Sequence, residues 1–188
     1  MTEATPKIYQ INEIFYSLQG EGYHTGTPAV FIRFSGCNRA CPFCDTDFHA
    51  HKPMTAEEIL VEVRQYPARH IVLTGGEPTL QIDNQLIGLL KNVGYYLQIE
   101  TNGSLPVPDQ IDWVTCSPKD RPWNIDRVNE LKVVFQGEDV ENIRQAFATA
   151  NCFLQPMSGL NIPQTVQYIL LHPHWRLSLQ THKLLDIR

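Results

Sequence analysis

Short apolar segments alternate with helical patterns along most of this 188-residue chain. Such an alternation is typical of a parallel β-sheet whose strands are joined by covering helices. A complete eight-fold barrel typically needs roughly 250 residues, which is more than this chain has. The sequence therefore predicts one domain, residues 1–188, with an α/β fold that forms an open or partial (β/α) barrel of parallel strands.

The predicted strands are short and mostly apolar, and they are 29–34, 70–73, 96–100, 113–116, 131–135, 152–154 and 176–179. The spacing of apolar residues predicts helices at about 56–66, 86–90, 140–148 and 163–171. Thr55 and Glu58 have the spacing of a capping box at the start of the first helix. Between Glu100 and Val133 the helical pattern is weak, so we expect one shortened crossover there.

The composition is that of an ordinary globular protein, with 43% hydrophobic and 19% charged residues. The net charge of −5 and the lack of a lysine/arginine block argue against nucleic-acid binding. No apolar run is long enough to span a bilayer, and residues 1–5 show no secretory signal pattern. Because the five cysteines are an odd number and three are clustered, we expect no disulfide framework and a reducing, cytoplasmic location.

Three thiols lie within eight residues, at Cys37, Cys41 and Cys44. Structural zinc usually takes four ligands in two separated pairs, and no fourth ligand stands next to this cluster. Cubane iron–sulfur clusters are held by cysteine thiolates at short spacings, and three thiolates leave one iron open to a reactant. The spacing therefore favours a reactive [4Fe–4S] cluster. A zinc knuckle completed by a distant residue, such as His49 or His51, is the alternative.

Polar residues follow the predicted strands at the points where the strands end. The clusters are 37–44, 74–78, 100–103, 117–119, 155–158 and 180–183. Function gathers at the carboxyl ends of parallel strands, which all lie at one edge of the sheet. The sequence therefore predicts a single large site there.

Three further segments allow two interpretations each. Arg33 lies in an apolar strand, where a guanidinium needs an anionic partner: either a substrate carboxylate or a structural salt bridge. Residues 19–22, Gln-Gly-Glu-Gly, form either a hairpin loop or a loop whose amides meet a polar ligand. Residues 45–47, Asp-Thr-Asp, form either an Asx turn or the oxygen ligands of a hard cation.

Together these segments resemble the radical S-adenosylmethionine enzymes, whose signature is CxxxCxxC followed by a GGEP-like loop. Residues 37–44 and Gly75-Gly76-Glu77-Pro78 carry that match. Within the superfamily, the chain is similar to the 7-carboxy-7-deazaguanine synthase family of the queuosine precursor pathway. The segments that carry this closer match span nearly the whole chain, and they are 18–22, 31–33, 44–46, 117–119, 175–178 and 180–183.

The resemblance implies a lyase that converts 6-carboxy-5,6,7,8-tetrahydropterin to 7-carboxy-7-deazaguanine, a precursor for tRNA modification, with loss of ammonia. It implies a [4Fe–4S] cluster held by Cys37, Cys41 and Cys44, with S-adenosyl-L-methionine on the open iron. It also implies Mg²⁺ bound through the hydroxyl of Thr46. The expected partners are a flavodoxin-type or other one-electron reductant and a second copy of the chain, with no direct contact to nucleic acid or membrane.

The resemblance also assigns roles to residues by their positions, and the three cysteines are the expected catalytic residues. The residues expected to bind S-adenosylmethionine are Gly75, Gly76, Glu77, Ser117, Pro118, Lys119, Gln155, Pro156, Met157 and Ser158. The residues expected to bind the pterin are Leu18, Gln19, Gly20, Arg33, Thr74, Glu100, Asn102, His182 and Arg188, the last through its α-carboxylate.

Two other functions fit parts of the sequence. A radical activase, which removes hydrogen from a protein partner, would share the cysteine motif but would lack a closed pterin pocket. A metal-stabilised binding module would hold zinc and would not cleave S-adenosylmethionine reductively. The net negative charge and the six polar clusters at one edge disfavour the binding module.

Overall fold

The computed structural model describes residues 6–44, 47, 50–149 and 151–188. Its strands are β1 (Tyr9–Leu18), β2 (Pro28–Phe34), β3 (Lys52–Met54), β4 (His70–Gly75), β5 (Tyr96–Thr101), β6 (Trp113–Cys116), β7 (Glu130–Phe135), β8 (Cys152–Pro156) and β9 (Arg176–Leu177). Its helices are α1 (Ala56–Val63), α2 (Asn84–Asn92), α3 (Glu141–Gln145), α4 (Ile162–Leu171) and α5 (Thr181–Leu185).

All of these strands belong to one sheet, in the spatial order β3-β1-β2-β4-β5-β6-β7-β8-β9. In this spatial order, neighbouring strands from β2 through β4 to β9 pair in parallel. At the other edge, β1 pairs antiparallel with both β2 and β3. The sheet is thus a partial barrel of parallel strands extended by an antiparallel hairpin, which confirms the predicted fold class.

The two faces of the sheet differ in chemistry. The outer face is apolar, and it packs against α1 and α2 through residues such as Ile59, Leu86 and Leu97. The inner face has only a small apolar cluster, in which the rings of Phe15 and Phe31 stack at 4.9 Å. Because side chains alternate between the faces of a strand, the inner positions also include polar residues that point into the concave side, such as Lys132 and Gln155, beside apolar ones such as Val134.

The long strand β1 is absent from the sequence-based prediction, and a bulge explains why. The register of β1 against β2 shifts between Ile11 and Glu13. An extra residue in a strand moves the following side chains to the opposite face. Accordingly Tyr9 and Ile11 lie in the outer core, whereas Phe15 lies in the inner cluster. No single two-residue period therefore runs through the segment.

The other predicted elements are present with shifted ends. The last strand, β9, is shorter than predicted, and α5 follows it where only a polar cluster was expected. The structure describes every residue of the β5–β6 and β6–β7 connections, and neither connection contains a helix. Two crossovers are therefore shortened, where the sequence predicted one. Among the described residues, no helix is long and apolar enough to cross a membrane.

The capping box predicted at the start of α1 is formed. The Glu58 amide donates to Thr55 Oγ1 at 3.2 Å, and the Thr55 amide donates to Glu58 Oε2 at 2.8 Å. Replacing Thr55 with alanine should lower the free energy of unfolding by about 1 kcal/mol, because one helix-end amide loses its acceptor. Urea titration followed by circular dichroism measures this. Glu57→Ala, in the same first turn, is the matched control, and an equal loss in both variants would contradict the cap.

Candidate active site

A cavity of about 450 Å³ opens at the carboxyl edge of the parallel strands. It is lined by most of the residues that the sequence singled out. These are Leu18, Gln19, Gly20, Arg33, Cys37, Cys41, Cys44, Thr74, Gly75, Gly76, Glu100, Asn102, Ser117, Lys119, Gln155, Pro156, Met157, Ser158, His182 and Arg188. The fold thus brings residues from both ends of the chain to one site.

Two of the predicted site residues that the structure describes lie elsewhere. Glu77 is fully buried outside the cavity lining. Its carboxylate accepts hydrogen bonds from Thr101 Oγ1 at 2.8 Å and from the Asn102 amide at 2.7 Å, so it joins the β4 loop to the end of β5. Pro118 lines a neighbouring groove. Thr46, the expected magnesium ligand, lies outside the described residues, as does His49.

The cysteine loop forms one wall of the cavity. Cys37, Cys41 and Cys44 are not joined in disulfides, and the loop turns through a hydrogen bond from the Cys44 amide to the Cys41 carbonyl at 3.1 Å. Burial raises the pKa of the Cys37 thiol, so that thiol stays protonated until a metal replaces the proton. Among the described residues, no three His, Cys, Asp or Glu side chains converge on one ion position.

The base of the cysteine loop packs against the loop that follows β4. A Cβ atom added to Gly76 would lie 2.0 Å from the Gly36 carbonyl oxygen, so only glycine fits there. The Gly76 amide donates to the Phe34 carbonyl at 3.0 Å, and the Glu77 amide donates to the Gly36 carbonyl at 2.9 Å. This close approach fixes the start of the thiol loop, and it leaves a backbone surface beside Cys37 that a ligand can approach. The donor set and this cradle fit a cluster held on three thiolates.

The opposite wall is organised by a buried lysine. Lys132 comes from the middle of β7, and its side chain is 3% exposed. Its ammonium group contacts Glu21 Oε2 at 2.5 Å and Glu100 Oε2 at 2.7 Å. Burial alone would lower the pKa of Lys132, but the carboxylates of Glu100 and Glu21 outweigh it and raise the pKa. The lysine is therefore a fixed positive charge between two negative ones.

Both carboxylates of this triad have further donors. Glu21 Oε1 accepts from Gln180 Nε2 at 2.9 Å and from Gln155 Nε2 at 3.3 Å. Glu100 Oε1 accepts from Gln19 Nε2 at 2.9 Å. Burial would raise the pKa of Glu21, yet the Lys132 ammonium and these hydrogen bonds lower it below its usual range. Both carboxylates line the cavity.

The sequence-based prediction did not assign a role to Lys132 or to Glu21 as a cavity residue. Lys132 stands in an apolar strand, and that is the same signal by which Arg33 was selected. Glu21 was noticed only as part of a loop with two possible interpretations. Lining residues outside the predicted clusters are Glu13, Phe15, Phe31 and Val134. Lining residues inside those clusters that were given no role of their own are Arg39, Phe43, Thr101, Gln180 and Lys183, and Asp47 belongs to the 45–47 segment named as a candidate cation site.

The C-terminal helix closes one side of the cavity. The Thr181 amide and Thr181 Oγ1 both donate to the Gly20 carbonyl, at 2.9 and 3.0 Å, at the start of α5. A Cβ atom added to Gly20 would lie 2.2 Å from His182 Nδ1, so the glycine lets the imidazole reach the β1–β2 loop. His182 is thereby held at the cavity although it is distant in sequence from the loop.

Arg33 has a protein partner as well as a place in the cavity wall. Its Nε donates to Glu13 Oε1 at 2.9 Å, which is the structural salt bridge that the sequence left open. Arg188 also pairs with Glu13, and Ser17 Oγ donates to the main-chain oxygen of Arg188 at 2.5 Å. The chain terminus therefore lies beside Arg33. The guanidinium groups of Arg33 and Arg188 share the single carboxylate of Glu13. Their remaining N–H donors can therefore bind a second anion.

The remaining wall follows β6 and β8. Lys119 Nζ donates to Ser117 Oγ at 2.8 Å and lies 5.4 Å from the centre of the Phe43 ring in the cysteine loop. Burial lowers the pKa of Lys119. Gln155 and Met157 line the cavity where β8 ends. This wall offers hydroxyl, ammonium and amide groups beside the thiols.

Comparison with known proteins gives a consistent result. A sequence profile of the Radical SAM superfamily matches residues 31–114. A 7-carboxy-7-deazaguanine synthase from Bacteroides thetaiotaomicron is 58% identical, over 95% of this chain and 98% of the relative. The synthase from Bordetella pertussis is 44% identical, over 95% and 99%. The crystal structure of QueE from Escherichia coli matches with a TM-score of 0.77 and 31% identity, over 92% of this chain and 93% of that one.

Replacing Lys132 with methionine should lower the free energy of unfolding by about 3–5 kcal/mol, because two partly buried carboxylates then lose their counter-charge. Urea titration at pH 7 measures the loss. Lys91→Met is the matched control, since Lys91 forms an ion pair with Asp112 at 2.7 Å that is about a third exposed. That pair should contribute at most about 1 kcal/mol. Similar losses in the two variants would contradict the role of the buried triad.

The stability difference between wild type and Lys132→Met should also depend on pH. The pKa of Glu21 is lowered in the folded state, so its contribution is complete above the unfolded value of about 4.3 and is lost as pH falls below it. In Lys132→Met the largest effect that lowers the Glu21 pKa is missing, so the variant takes up this proton at a higher pH than the wild type. The difference should therefore be largest at neutral pH and should shrink progressively on acidification. Glu141, whose pKa is lowered to about 2, remains in both proteins and cancels. A difference that grows on acidification would contradict this assignment.

Proposed function

Because this chain belongs to the 7-carboxy-7-deazaguanine synthase family of radical S-adenosylmethionine enzymes, we propose that its cavity holds cofactor and pterin between the cysteine wall and the Lys132 wall. The enzyme is a lyase that converts 6-carboxy-5,6,7,8-tetrahydropterin to 7-carboxy-7-deazaguanine with loss of ammonia, in queuosine biosynthesis. The observation that carries the assignment of sites is that three thiols and an ionised carboxylate pair line one cavity.

The thiol wall suits the cluster. Cys37, Cys41 and Cys44 would each bind one iron, so a cube of four irons keeps one iron open on the cavity side. When bound, the cluster and S-adenosylmethionine supply the radical chemistry that removes a hydrogen atom from the substrate. The chain's own part is to hold these groups in line and to exclude water. A one-electron reductant and a small-molecule substrate follow from membership of the superfamily.

The residues around the thiols would bind S-adenosylmethionine. Gly75 and Gly76 present backbone beside Cys37, where no side chain obstructs a ligand. Ser117 and Lys119 offer a hydroxyl and an ammonium group, which suit the polar groups of the ligand. Further contacts would come from the segment after β8, namely Gln155, Pro156, Met157 and Ser158.

The opposite wall would bind the pterin. Its 2-amino-4-oxopyrimidine ring presents N–H donors, and the ionised carboxylates of Glu100 and Glu21 are acceptors that match them. Arg33 would bind the substrate carboxylate, helped by the guanidinium or terminus of Arg188. The remaining contacts would come from Leu18, Gln19, Gly20, Thr74 and His182.

Several finer features stay proposals. Mg²⁺ would bind at Thr46, and the neighbouring Asp47, a possible oxygen ligand, lines the cavity. A homodimer would cover apolar side chains near α4, since Leu160 and Leu170 are each 77% exposed. A flavodoxin-type protein would be the reductant. A cytoplasmic location would suit the five free thiols.

The test is anaerobic turnover of the reconstituted, reduced protein with S-adenosylmethionine, 6-carboxytetrahydropterin and Mg²⁺, read by mass spectrometry. We expect a deazaguanine product that has lost one nitrogen, and a lower rate when Mg²⁺ is replaced by a chelator. Formation of 5′-deoxyadenosine without this product would overturn the substrate and favour a radical activase. If the protein binds zinc and forms neither 5′-deoxyadenosine nor the deazaguanine, the result would favour the binding module.

Replacing Cys41 with alanine should abolish formation of 5′-deoxyadenosine and leave the fold intact, because the core of strands and helices lies apart from the thiol loop. The metal-free variant should unfold within ~0.5 kcal/mol of the metal-free wild type, as substitutions outside the core usually do. Cys152→Ala is the control, since it removes a thiol in the other core cluster and should retain turnover. Collapse of the circular dichroism of Cys41→Ala would show instead that the thiol loop is structural.

A further inference from the structure

Two side chains hold the segment between Cys37 and Cys41 to the rest of the molecule. Arg39 Nη2 donates to the Asp120 carbonyl at 3.0 Å, and the other side chain is that of Asn38. The Asn38 carboxamide makes two hydrogen bonds. Its Nδ2 donates to Ser104 Oγ at 2.8 Å, and its Oδ1 accepts from Asn102 Nδ2 at 2.9 Å. Both ends of the carboxamide are thus engaged by residues that follow β5. Asn38 therefore ties the thiol loop to the end of a different strand.

The residues that receive Asn38 are themselves fixed. Asn102 Oδ1 accepts from the Ser104 amide at 3.0 Å, and the Asn102 amide donates to the buried Glu77 at 2.7 Å. Asn124 Nδ2 donates to the Ser104 carbonyl at 2.9 Å. Asn102, which also lines the cavity, uses one N–H and one lone pair of its carboxamide in this network. Its place in the structure is that of an anchor for the thiol loop.

This anchor lies next to a hydrogen bond onto a cluster thiol. The Arg39 amide points at Cys37 Sγ, with 3.4 Å between nitrogen and sulfur. Cys37 is held on its other side by Gly36, whose carbonyl accepts from the Glu77 amide. Because hydrogen bonds hold both Gly36 and Asn38 in place, they also set the direction of the Arg39 amide, which follows Asn38 in the chain. A mobile loop would not keep that amide aimed at the sulfur.

Hydrogen bonds to the sulfur ligands of an iron–sulfur cluster tune its reduction potential. An N–H dipole pointing at a thiolate stabilises the additional negative charge of the reduced cluster, so it makes the potential less negative. The geometry points to Asn38 as a positioning residue that sets this potential and retains the cluster, by holding the Arg39 amide on Cys37. The inference rests on the [4Fe–4S] cluster of the proposed function and concerns a residue to which that function gives no role.

The experiment compares reconstituted wild type, Asn38→Ala and Ser104→Ala by anaerobic redox titration followed by electron paramagnetic resonance. Asn38→Ala should shift the midpoint potential to more negative values. It should also bind the cluster on the order of 10-fold more weakly, as is typical when a residue supporting a metal ligand is removed, and this is measured by iron loss to a chelator. Ser104→Ala, which keeps the bond from Asn102, should give smaller changes of the same sign.

Asn151→Ala is the matched control, because its Nδ2 donates to the Asn129 carbonyl at 3.0 Å, at the other end of the sheet. It should leave both the potential and the iron loss unchanged. Wild-type values for both properties in Asn38→Ala would overturn the inference. If Asn38→Ala fails to fold, the milder Ser104→Ala decides the matter by the same criteria. A wild-type chain that binds no iron–sulfur cluster would overturn the proposed function itself, which is a distinct result.

Discussion

The buried ammonium group of Lys132 is the interaction on which the shape of the site depends. It joins Glu21 from the β1–β2 loop to Glu100 at the end of β5, and it comes itself from β7. Through Gln155 and Gln180, Glu21 extends this connection to β8 and to the C-terminal segment. A partial barrel has no strand pairing to close it. The charge network supplies that closure on the concave side, and it holds the two carboxylates in place around the ammonium group.

The two walls of the cavity are built by different physical means. The thiol wall is set by backbone, because Gly76 packs against Gly36 too closely for any side chain, and by the carboxamide of Asn38. The opposite wall is set by side-chain charges around Lys132. This division suits the chemistry. A cluster needs rigid thiolates of fixed spacing, whereas an aminopyrimidine substrate needs acceptors whose charge is maintained without water.

Much of the fold and most of the candidate site could be predicted, since parallel strands bring the polar residues that follow them to one edge. The failures have specific causes. The bulge near Ile11 disrupts the alternation that would have marked β1. Glu77 has the residue type expected of a ligand-binding position, yet its carboxylate is buried and is engaged by Thr101 and Asn102. Residue type and position alone do not distinguish a ligand contact from an internal one.

The sequence by itself determined the order of the parallel strands and of α1 to α4, the cysteine loop and the capping box, because these depend on local spacing and periodicity. It also carries the motifs by which the chain resembles its family. Only the tertiary structure decided which charges meet. Lys132 and Glu21 are 111 residues apart, and Gln180 and Glu21 are 159 apart. Nothing in the local pattern of either partner specifies the other. Such pairs arise because burial makes an unpaired charge costly, and the curvature of the sheet determines which partner is within reach.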